Sequence, residues 1–149
     1  MAQERKTMTQ IHAYKGRPLA KRIGMPTKRK VIAVIDDSLG ILSALGRLLS
    51  TLGYDTELYA SNWEFLDARM ITAASCLILD VHLGESSGLD LAEQLANTGC
   101  KIPFIFMSSD PGESVKERAG KIGALAFLIK PFGVDELVKA LALVPPRRP

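Results

Sequence analysis

The sequence lacks any long apolar run: no stretch approaches the roughly 18 consecutive apolar residues that indicate a membrane-spanning helix. Basic residues near the N-terminus are not followed by an apolar segment, so a secretory signal is not predicted. Cysteine is scarce as well, with Cys76 and Cys100 as the only two. We interpret both as reduced, inert thiols of a cytoplasmic protein rather than as a disulfide or a metal site.

Charge is unevenly distributed along a chain of ordinary composition. At 149 residues, 47% of them hydrophobic, the chain is long enough for one domain with a full core. Residues 1–30 carry nine lysines and arginines against Glu4 alone, whereas residues 31–149 carry ten against fifteen acidic residues. The folded part is therefore expected to be acidic and the N-terminal segment basic.

The N-terminal segment shows no sustained hydrophobic period, and glycine and proline interrupt it. We predict a basic, disordered extension over residues 1–29, a folded domain over 30–143 and a short tail over 144–149. Such an extension should be dispensable for folding. Two other interpretations remain open: a basic arm can bind nucleic acid or an anionic surface, and translation could begin at Met25.

Four short apolar runs are each followed by a polar or charged side chain. They are Val31–Ile35 before Asp36-Asp37, Cys76–Leu79 before Asp80, Ile102–Met107 before Ser108, and Ala124–Ile129 before Lys130. Such runs are typical of strands in a parallel sheet covered on both faces, and helical stretches of crossover length separate them. Because the carboxyl ends of parallel strands meet at one edge of a sheet, we expect these side chains to lie together.

The remaining elements follow from capping residues and helical spacing. Ser38 is the expected N-cap of the first helix and Gly53 its terminator. Tyr54–Tyr59 alternates like an edge strand, and Trp63 lies on a short helix after Ser61, where we expect it to cover the sheet. The helix Glu113–Lys121 has few apolar residues and should be weakly anchored. The last helix, Val134–Leu143, is expected to pack through Val134, Leu137, Val138 and Leu141.

The residues at the strand ends suit one reaction. Mg²⁺ prefers oxygen ligands such as the carboxylates of Asp36, Asp37 and Asp80, and a carboxylate can itself be the nucleophile, giving an aspartyl-phosphate. Lys130 and the Ser108 hydroxyl would supply a cation and a donor to the transferred phosphoryl group. Each residue alone could be a turn or cap residue, but their coincidence at four strand ends favours a Mg²⁺-dependent phosphoryl acceptor.

The sequence resembles the receiver domain of bacterial two-component response regulators, and FixJ-like receivers most closely. The matching features are Asp36-Asp37, Asp80 followed by Gly88 eight residues later, Ser108, and the segment Ala126–Phe132, within residues 30–143. The resemblance implies an α/β, flavodoxin-like doubly wound (βα)5 fold with a five-stranded parallel sheet in the order 2-1-3-4-5.

The resemblance also implies roles for individual residues. Asp80 would accept a phosphoryl group from a histidine kinase or a histidine phosphotransfer protein. Asp37, Asp80 and the backbone carbonyl of His82 would ligate Mg²⁺, and Asp36 would assist through water.

Five residues complete the predicted site. The resemblance implies that Ser108 contacts the phosphoryl group and Lys130 pairs with it, while Phe127 changes rotamer on activation. His82 and Asp110 each lie two residues beyond a site residue, so we expect both to flank the attacking water and to modulate the phosphoryl lifetime.

The sequence departs from the resemblance at two points. Gly84 stands where the family usually has proline, which predicts a more mobile loop after Asp80. The family often carries a DNA-binding output domain, and this sequence has none after the receiver pattern, so we predict a stand-alone receiver that signals through a downstream protein or a phosphorelay. It would not be an enzyme beyond its own phosphotransfer and dephosphorylation. Membrane and nucleic-acid partners are not expected, and homodimer formation is left open.

Two competing functions belong to other classes. A Mg²⁺-dependent phosphohydrolase of the haloacid dehalogenase type also forms an aspartyl-phosphate, but that family has a second aspartate where His82 stands here. A DNA-binding protein acting through the basic arm would lose binding on deletion of residues 1–28 and show a steep salt dependence.

Overall fold

The computed structural model describes residues 29–67 and 74–146. Strands and helices alternate within these ranges, as the apolar runs predicted. The elements are β1 (Val31–Ile35), α1 (Leu39–Thr51), β2 (Asp55–Tyr59), α2 (Asn62–Asp67), β3 (Cys76–Asp80), β4 (His82–Leu83), β5 (Ser86–Ser87), α3 (Gly88–Asn97), β6 (Phe104–Ser108), α4 (Glu113–Ile122), β7 (Ala126–Ile129) and α5 (Val134–Leu141). No helix of the described ranges is long and apolar enough to cross a membrane. Residues 1–28 of the predicted extension lie outside the described residues.

Five strands form a parallel sheet in the order β2-β1-β3-β6-β7. This confirms the predicted order, because β6 and β7 are its fourth and fifth strands along the chain. β2 lies at one edge, as its alternating polar residues indicated. β3 is buried along its whole length, which is expected of a central strand covered by helices on both faces.

Alternate residues of β1, β3, β6 and β7 pack into two separate cores. On one face, Leu77, Leu79 and Phe106 pack with residues of α2, α3 and α4. On the other face, Ile78 and Ile105 pack with α1 and α5. Because successive side chains of a strand point to opposite faces, these four strands contribute to both cores. Full burial of one such aliphatic side chain stabilises the fold by about 1.5–3 kcal/mol.

The predicted capping residues of α1 are confirmed. The Ser38 hydroxyl oxygen accepts a hydrogen bond from the Ile41 N–H at 3.3 Å, which satisfies one of the free donors of the first helical turn. Gly53 follows the C-terminus with φ of +99°, a left-handed conformation that glycine adopts without steric cost. Ser38 and Gly53 therefore mark the beginning and the end of α1.

The segment after β3, expected to be a loop, forms a two-stranded antiparallel hairpin. His82 pairs with Ser87 and Leu83 with Ser86, which leaves Gly84 and Glu85 as the turn. Gly84 has φ of +63°, as the first position of a primed hairpin turn requires. Proline, fixed near −65°, cannot adopt this angle. The glycine that departs from the family pattern therefore matches a turn in which the usual proline has no place.

Three apolar residues are more exposed than the sequence pattern predicted. Trp63 is 79% exposed, so the expectation that it covers the sheet is wrong. In α2 the neighbouring Phe65 is buried instead. Val134 and Val138 are also largely exposed, and α5 packs through Leu137, Ala140 and Leu141. In short helices, apolar spacing alone does not identify which of two adjacent stripes faces the core.

Arg29, the first described residue, belongs to the fold. Its guanidinium donates hydrogen bonds to the backbone carbonyls of Gly53 at 2.9 Å, Tyr54 at 3.0 Å and Ser50 at 3.3 Å, all at the C-terminal end of α1. The residue is only 7% exposed. A cation at this position satisfies carbonyls that have no partner within the helix and interacts favourably with the helix dipole.

Candidate functional site

Three carboxylates meet at the carboxyl edge of the sheet. The register pairs Ile35 of β1 with Leu79 of β3, so Asp36 and Asp80, each one residue further on, lie at the same level. Oxygens of Asp36, Asp37 and Asp80 all lie within 4.8 Å of one another. Asp36 and Asp80 are buried and Asp37 is exposed. The predicted clustering of these three side chains is therefore present, in a pocket whose open side is formed by Asp37.

Lys130 enters the same pocket from the end of β7. Its Nζ lies 2.8 Å from Asp36 Oδ2 and 3.2 Å from Asp80 Oδ1. Burial alone would lower the pKa of the Lys130 ammonium, but its hydrogen bond to Asp36 and the nearby charge of Asp80 outweigh burial, and the pKa is raised. The lysine therefore stays charged and holds two of the three carboxylates.

The Asp80 carboxyl is an unfavourable place for a negative charge. Burial raises its pKa, and the adjacent Asp36 carboxylate raises it further. The attraction of Lys130 and a hydrogen bond from the His82 backbone N–H offset only part of this effect. Three carboxylates facing one ammonium leave an excess of negative charge in the pocket.

This donor set fits a divalent cation. Mg²⁺ is usually bound through one or two carboxylates and keeps several waters. The exposed Asp37 leaves the pocket open on the side where such waters would lie. The raised pKa of Asp80, caused by burial and by like charge, indicates that a cation here would relieve an existing repulsion.

Asp36 is held in place by backbone and side-chain donors. Its Oδ1 accepts a hydrogen bond from the Ser38 N–H at 2.8 Å, and its Oδ2 accepts one from Lys130. Both oxygens are thus already engaged by protein groups, whereas Asp37 makes no hydrogen bond that the structure shows. The two residues of the acidic pair therefore differ, because the oxygens of Asp36 are occupied by protein donors and those of Asp37 are not.

Ser108 and Phe127 lie on the neighbouring strands. Ser108 is fully buried at the end of β6, and its Oγ accepts a hydrogen bond from the Asp110 N–H at 3.2 Å. The register pairs Ser108 with Ile129 and Phe106 with Phe127, so Phe127 lies two residues further from the carboxyl edge. Phe127 is partly buried and packs against the core on the α3 and α4 face.

The two residues expected to modulate the site are both exposed. His82 begins β4 directly after the pocket, and Asp110 lies in the loop between β6 and α4. Both are attached to the pocket through the backbone, since the N–H groups of His82 and Asp110 donate to Asp80 and Ser108 respectively. Their side chains reach solvent at this edge.

The sequence motif offered no physical reason for Gly88, and the structure supplies one. A Cβ built on Gly88 would lie 2.2 Å from the backbone oxygen of Asp80, far closer than any real contact. The Gly88 N–H also donates to the Val81 carbonyl at 3.0 Å. The start of α3 thus packs directly on the backbone that carries Asp80, and no side chain fits between them.

Fold and pocket together define a receiver domain. The family model of the response regulator receiver domain matches residues 32–142, and the chain belongs to this family. It is therefore a phosphoacceptor signalling module, and family membership decides against the phosphohydrolase interpretation. A histidine kinase is the class of partner that this family implies.

Individual relatives make the likeness more specific. The chain is 38% identical over 128 residues to the response regulator protein TodT of Pseudomonas putida, covering 83% of this chain and 56% of TodT. It is 34% identical over 110 residues to the transcriptional regulatory protein TdiR of Thauera aromatica, covering 74% of this chain and 48% of TdiR. The chain thus spans about half the length of these relatives.

Solved structures agree with the fold. The non-phosphorylated HemR receiver domain of Leptospira biflexa superposes with a TM-score of 0.73 at 26% identity, covering 81% of this chain and 98% of that domain. FixJ-N superposes with a TM-score of 0.70 at 22% identity, covering 79% of this chain and 94% of FixJ-N. The flavodoxin-like fold predicted from the sequence is confirmed.

Proposed function

We propose that Asp80 accepts a phosphoryl group from the phosphohistidine of a histidine kinase or a histidine phosphotransfer protein, in a Mg²⁺-dependent reaction. The observation that carries this proposal is the pocket itself, in which Lys130 lies 3.2 Å from Asp80 and three carboxylates have oxygens within 4.8 Å of one another. It combines a nucleophilic carboxylate, a set of oxygen ligands and a fixed cation at one point.

The metal would be held by Asp37, Asp80 and the backbone carbonyl of His82, with Asp36 assisting through water. When bound, Mg²⁺ supplies positive charge to the oxygens of the transferred group. The exposure of Asp37 and the engagement of both Asp36 oxygens support this division.

In the transfer step an Asp80 carboxylate oxygen attacks phosphorus. The O–P bond forms as the N–P bond to the donor imidazole breaks, and the electron pair of that bond stays on the imidazole nitrogen. Lys130 pairs with an equatorial phosphoryl oxygen and moves away from its present contact with Asp80. Asp36 keeps the ammonium beside the pocket during this exchange.

Ser108 and Phe127 would carry the signal out of the pocket. A phosphoryl group on Asp80 offers the Ser108 O–H an anionic acceptor, whereas at present the Ser108 oxygen accepts from the Asp110 N–H. The shift would make room along β6 for Phe127 to change rotamer. We expect Phe127→Ala to remove the effect of phosphorylation on α4, measured as amide exchange in residues 110–123 with and without a phosphoryl mimic.

The receiver would signal by binding a downstream protein or by passing the phosphoryl group along a relay. The output surface would be α4, β7 and α5, where Ile129, Val134 and Val138 are exposed apolar residues.

The proposal is tested by phosphotransfer to the purified chain. A phosphorylated histidine phosphotransfer protein should label the wild type in the presence of Mg²⁺ and fail to label it in EDTA. Lys130→Gln should slow labelling at least tenfold, whereas Lys139→Gln on α5 should not. Labelling independent of Mg²⁺ and of Lys130 would contradict the proposed site.

A further inference from the structure

An apolar groove runs along the exposed side of α1. It encloses about 480 Å³ between α1 and the segment that follows β7. Ile41, Ala44 and Leu48 form the α1 wall, and Lys130, Pro131 and Phe132 form the opposite wall. One end of the groove therefore adjoins the acidic pocket, through Lys130. Nothing in the described residues fills the groove.

The first described residues, Arg29 and Lys30, lie beside the other end of this groove. Arg29 is hydrogen-bonded to Ser50 and Gly53, which lie two and five residues beyond Leu48. The Lys30 ammonium donates to the Val144 carbonyl at 3.3 Å, just after α5. The first described residues are thus fixed near the C-terminal ends of the two helices on this face of the sheet.

Residues 1–28 are long enough to follow the groove to the pocket. From Leu48 to Ile41 the helix rises by only about 10 Å. Ile23 is six residues before Arg29 and Leu19 is ten, so extended chain spans up to about 20 Å and 33 Å respectively. Lys15 and Arg17 lie far enough upstream to pass the groove and reach the carboxylates.

The composition of this segment matches both parts of the surface. Leu19 and Ile23 are the apolar residues that could enter an apolar groove, and lysines and arginines lie around and before them. The carboxyl edge carries exposed acidic residues, namely Asp37 and Asp110 in loops and Asp135 in the first turn of α5. Charge complementarity therefore places the basic residues at the pocket end of the groove.

We propose that residues 15–23 of this chain bind in the groove between α1 and the segment 130–132. Leu19 and Ile23 occupy its apolar part, and Lys15 and Arg17 lie beside the carboxylates of the pocket edge. The basic segment is then an intramolecular ligand of the receiver rather than a tail without contacts.

The test is disulfide formation within the full chain. Cys100 is replaced by serine, and Cys76 stays as it is because burial raises the pKa of its thiol to about 12. Ile23→Cys is combined with Ala44→Cys in the groove or, as a matched control, with Ser43→Cys, which is exposed on α1 but does not line the groove. Leu19→Cys replaces Ile23→Cys in a second pair of variants, since disulfide geometry is narrow.

We expect the intramolecular disulfide to form at least tenfold faster with Ala44→Cys than with Ser43→Cys for one of the two upstream positions. Raising the salt concentration should reduce this preference, because it screens the basic residues. Equal rates at both α1 positions, for both upstream positions, would overturn the proposal. Disulfide-linked dimers that disappear on dilution would overturn it too, since a second copy would then occupy the groove.

A second measurement uses no cysteine. In the full chain, the variant L19S/I23S should shift the methyl resonances of Ala44 and Leu48, whereas the upstream variant Ile11→Ser should leave them in place. Unchanged resonances in L19S/I23S would also contradict the proposal.

Discussion

At the scale of single residues, Asp80 is held in the pocket against an electrostatic cost. Because the pKa of Asp80 is raised in the folded protein, protonation of this carboxyl favours folding. The free energy of unfolding therefore falls as pH rises from about 3.9, the ordinary carboxyl pKa, through the raised pKa of the folded state. Without metal, Asp80→Asn should therefore raise the free energy of unfolding at pH 7 by roughly 1 kcal/mol, and by less at pH 4.

Urea unfolding in EDTA at the two pH values measures this difference. Glu85→Gln, in the exposed hairpin turn, is the matched control and should show no such dependence. A less stable Asp80→Asn variant at pH 7 would mean that Lys130 compensates fully for the burial of the carboxylate.

Gly88 provides a second prediction at this scale. Gly88→Ala would place a methyl group against the backbone oxygen of Asp80, which cannot move without displacing β3. We expect a loss of about 2–4 kcal/mol in the free energy of unfolding. Gly120→Ala in α4 meets no atom within 4 Å and should be neutral or stabilising by up to about 1 kcal/mol. Equal effects of the two substitutions would refute this account of Gly88.

Much of the pocket could be predicted from the sequence, for a simple reason. Asp36, Asp80 and Lys130 each follow an apolar strand, and parallel strands bring their carboxyl ends to one edge. The contact of Gly88 with Asp80 could not be predicted, because it depends on how closely α3 approaches β3. The hydrogen bonds of Arg29 could not be predicted for another reason. It is one of nine basic residues in the first 30, and the sequence does not distinguish it from the others.

At the scale of elements, α4 has a small buried face for a ten-residue helix, since Ala119 is its only buried residue. Arg118 adds a polar connection to α3, with its guanidinium 2.7 Å from Glu93 Oε1 and in a second ion pair with Asp90. This bridge is partly exposed, so its effect on global stability should be small. Its effect on local opening of α4 should be larger, because little else holds the helix.

We therefore expect Arg118→Gln to raise amide exchange in residues 113–122 several-fold while leaving the midpoint of global unfolding nearly unchanged. Lys121→Gln is the control, because Lys121 pairs only within α4, with Glu117 at 3.9 Å. If both variants exchange alike, the connection to α3 does not hold α4.

In the short helices α2 and α5, hydrophobic periodicity does not correctly predict which apolar residues are buried. In α5, Leu137 and Leu141 are buried as predicted, but Val134 and Val138, which were expected on the same face, are exposed, and Ala140 is buried instead. The helix α2 has only six residues, and Phe65 rather than Trp63 is buried against the sheet. With eight residues or fewer, two stripes fit the pattern almost equally well, and only packing against the sheet distinguishes them.

At the scale of the whole molecule, Arg29 connects the residues just before β1 to α1. Its guanidinium donates hydrogen bonds to three carbonyls at the C-terminal end of that helix. Arg29→Ala should lower the free energy of unfolding by about 2–3 kcal/mol, whereas Arg47→Ala, exposed on α1, should change it little. A chain that retains Arg29 but lacks residues 1–28 should still fold and unfold cooperatively in urea. Comparable losses for Arg47→Ala and Arg29→Ala would show that Arg29 is not special.

The central claim is that the molecule is built around one phosphoacceptor, Asp80. The most direct test phosphorylates the full chain with phosphoramidate and Mg²⁺, reduces the acyl phosphate with borohydride and identifies the modified residue by mass spectrometry. The account predicts modification at Asp80 alone, acid-labile and hydroxylamine-sensitive, and none in the Asp80→Asn variant. Modification at Asp36 or Asp37, or phosphate retained by Asp80→Asn, would contradict it.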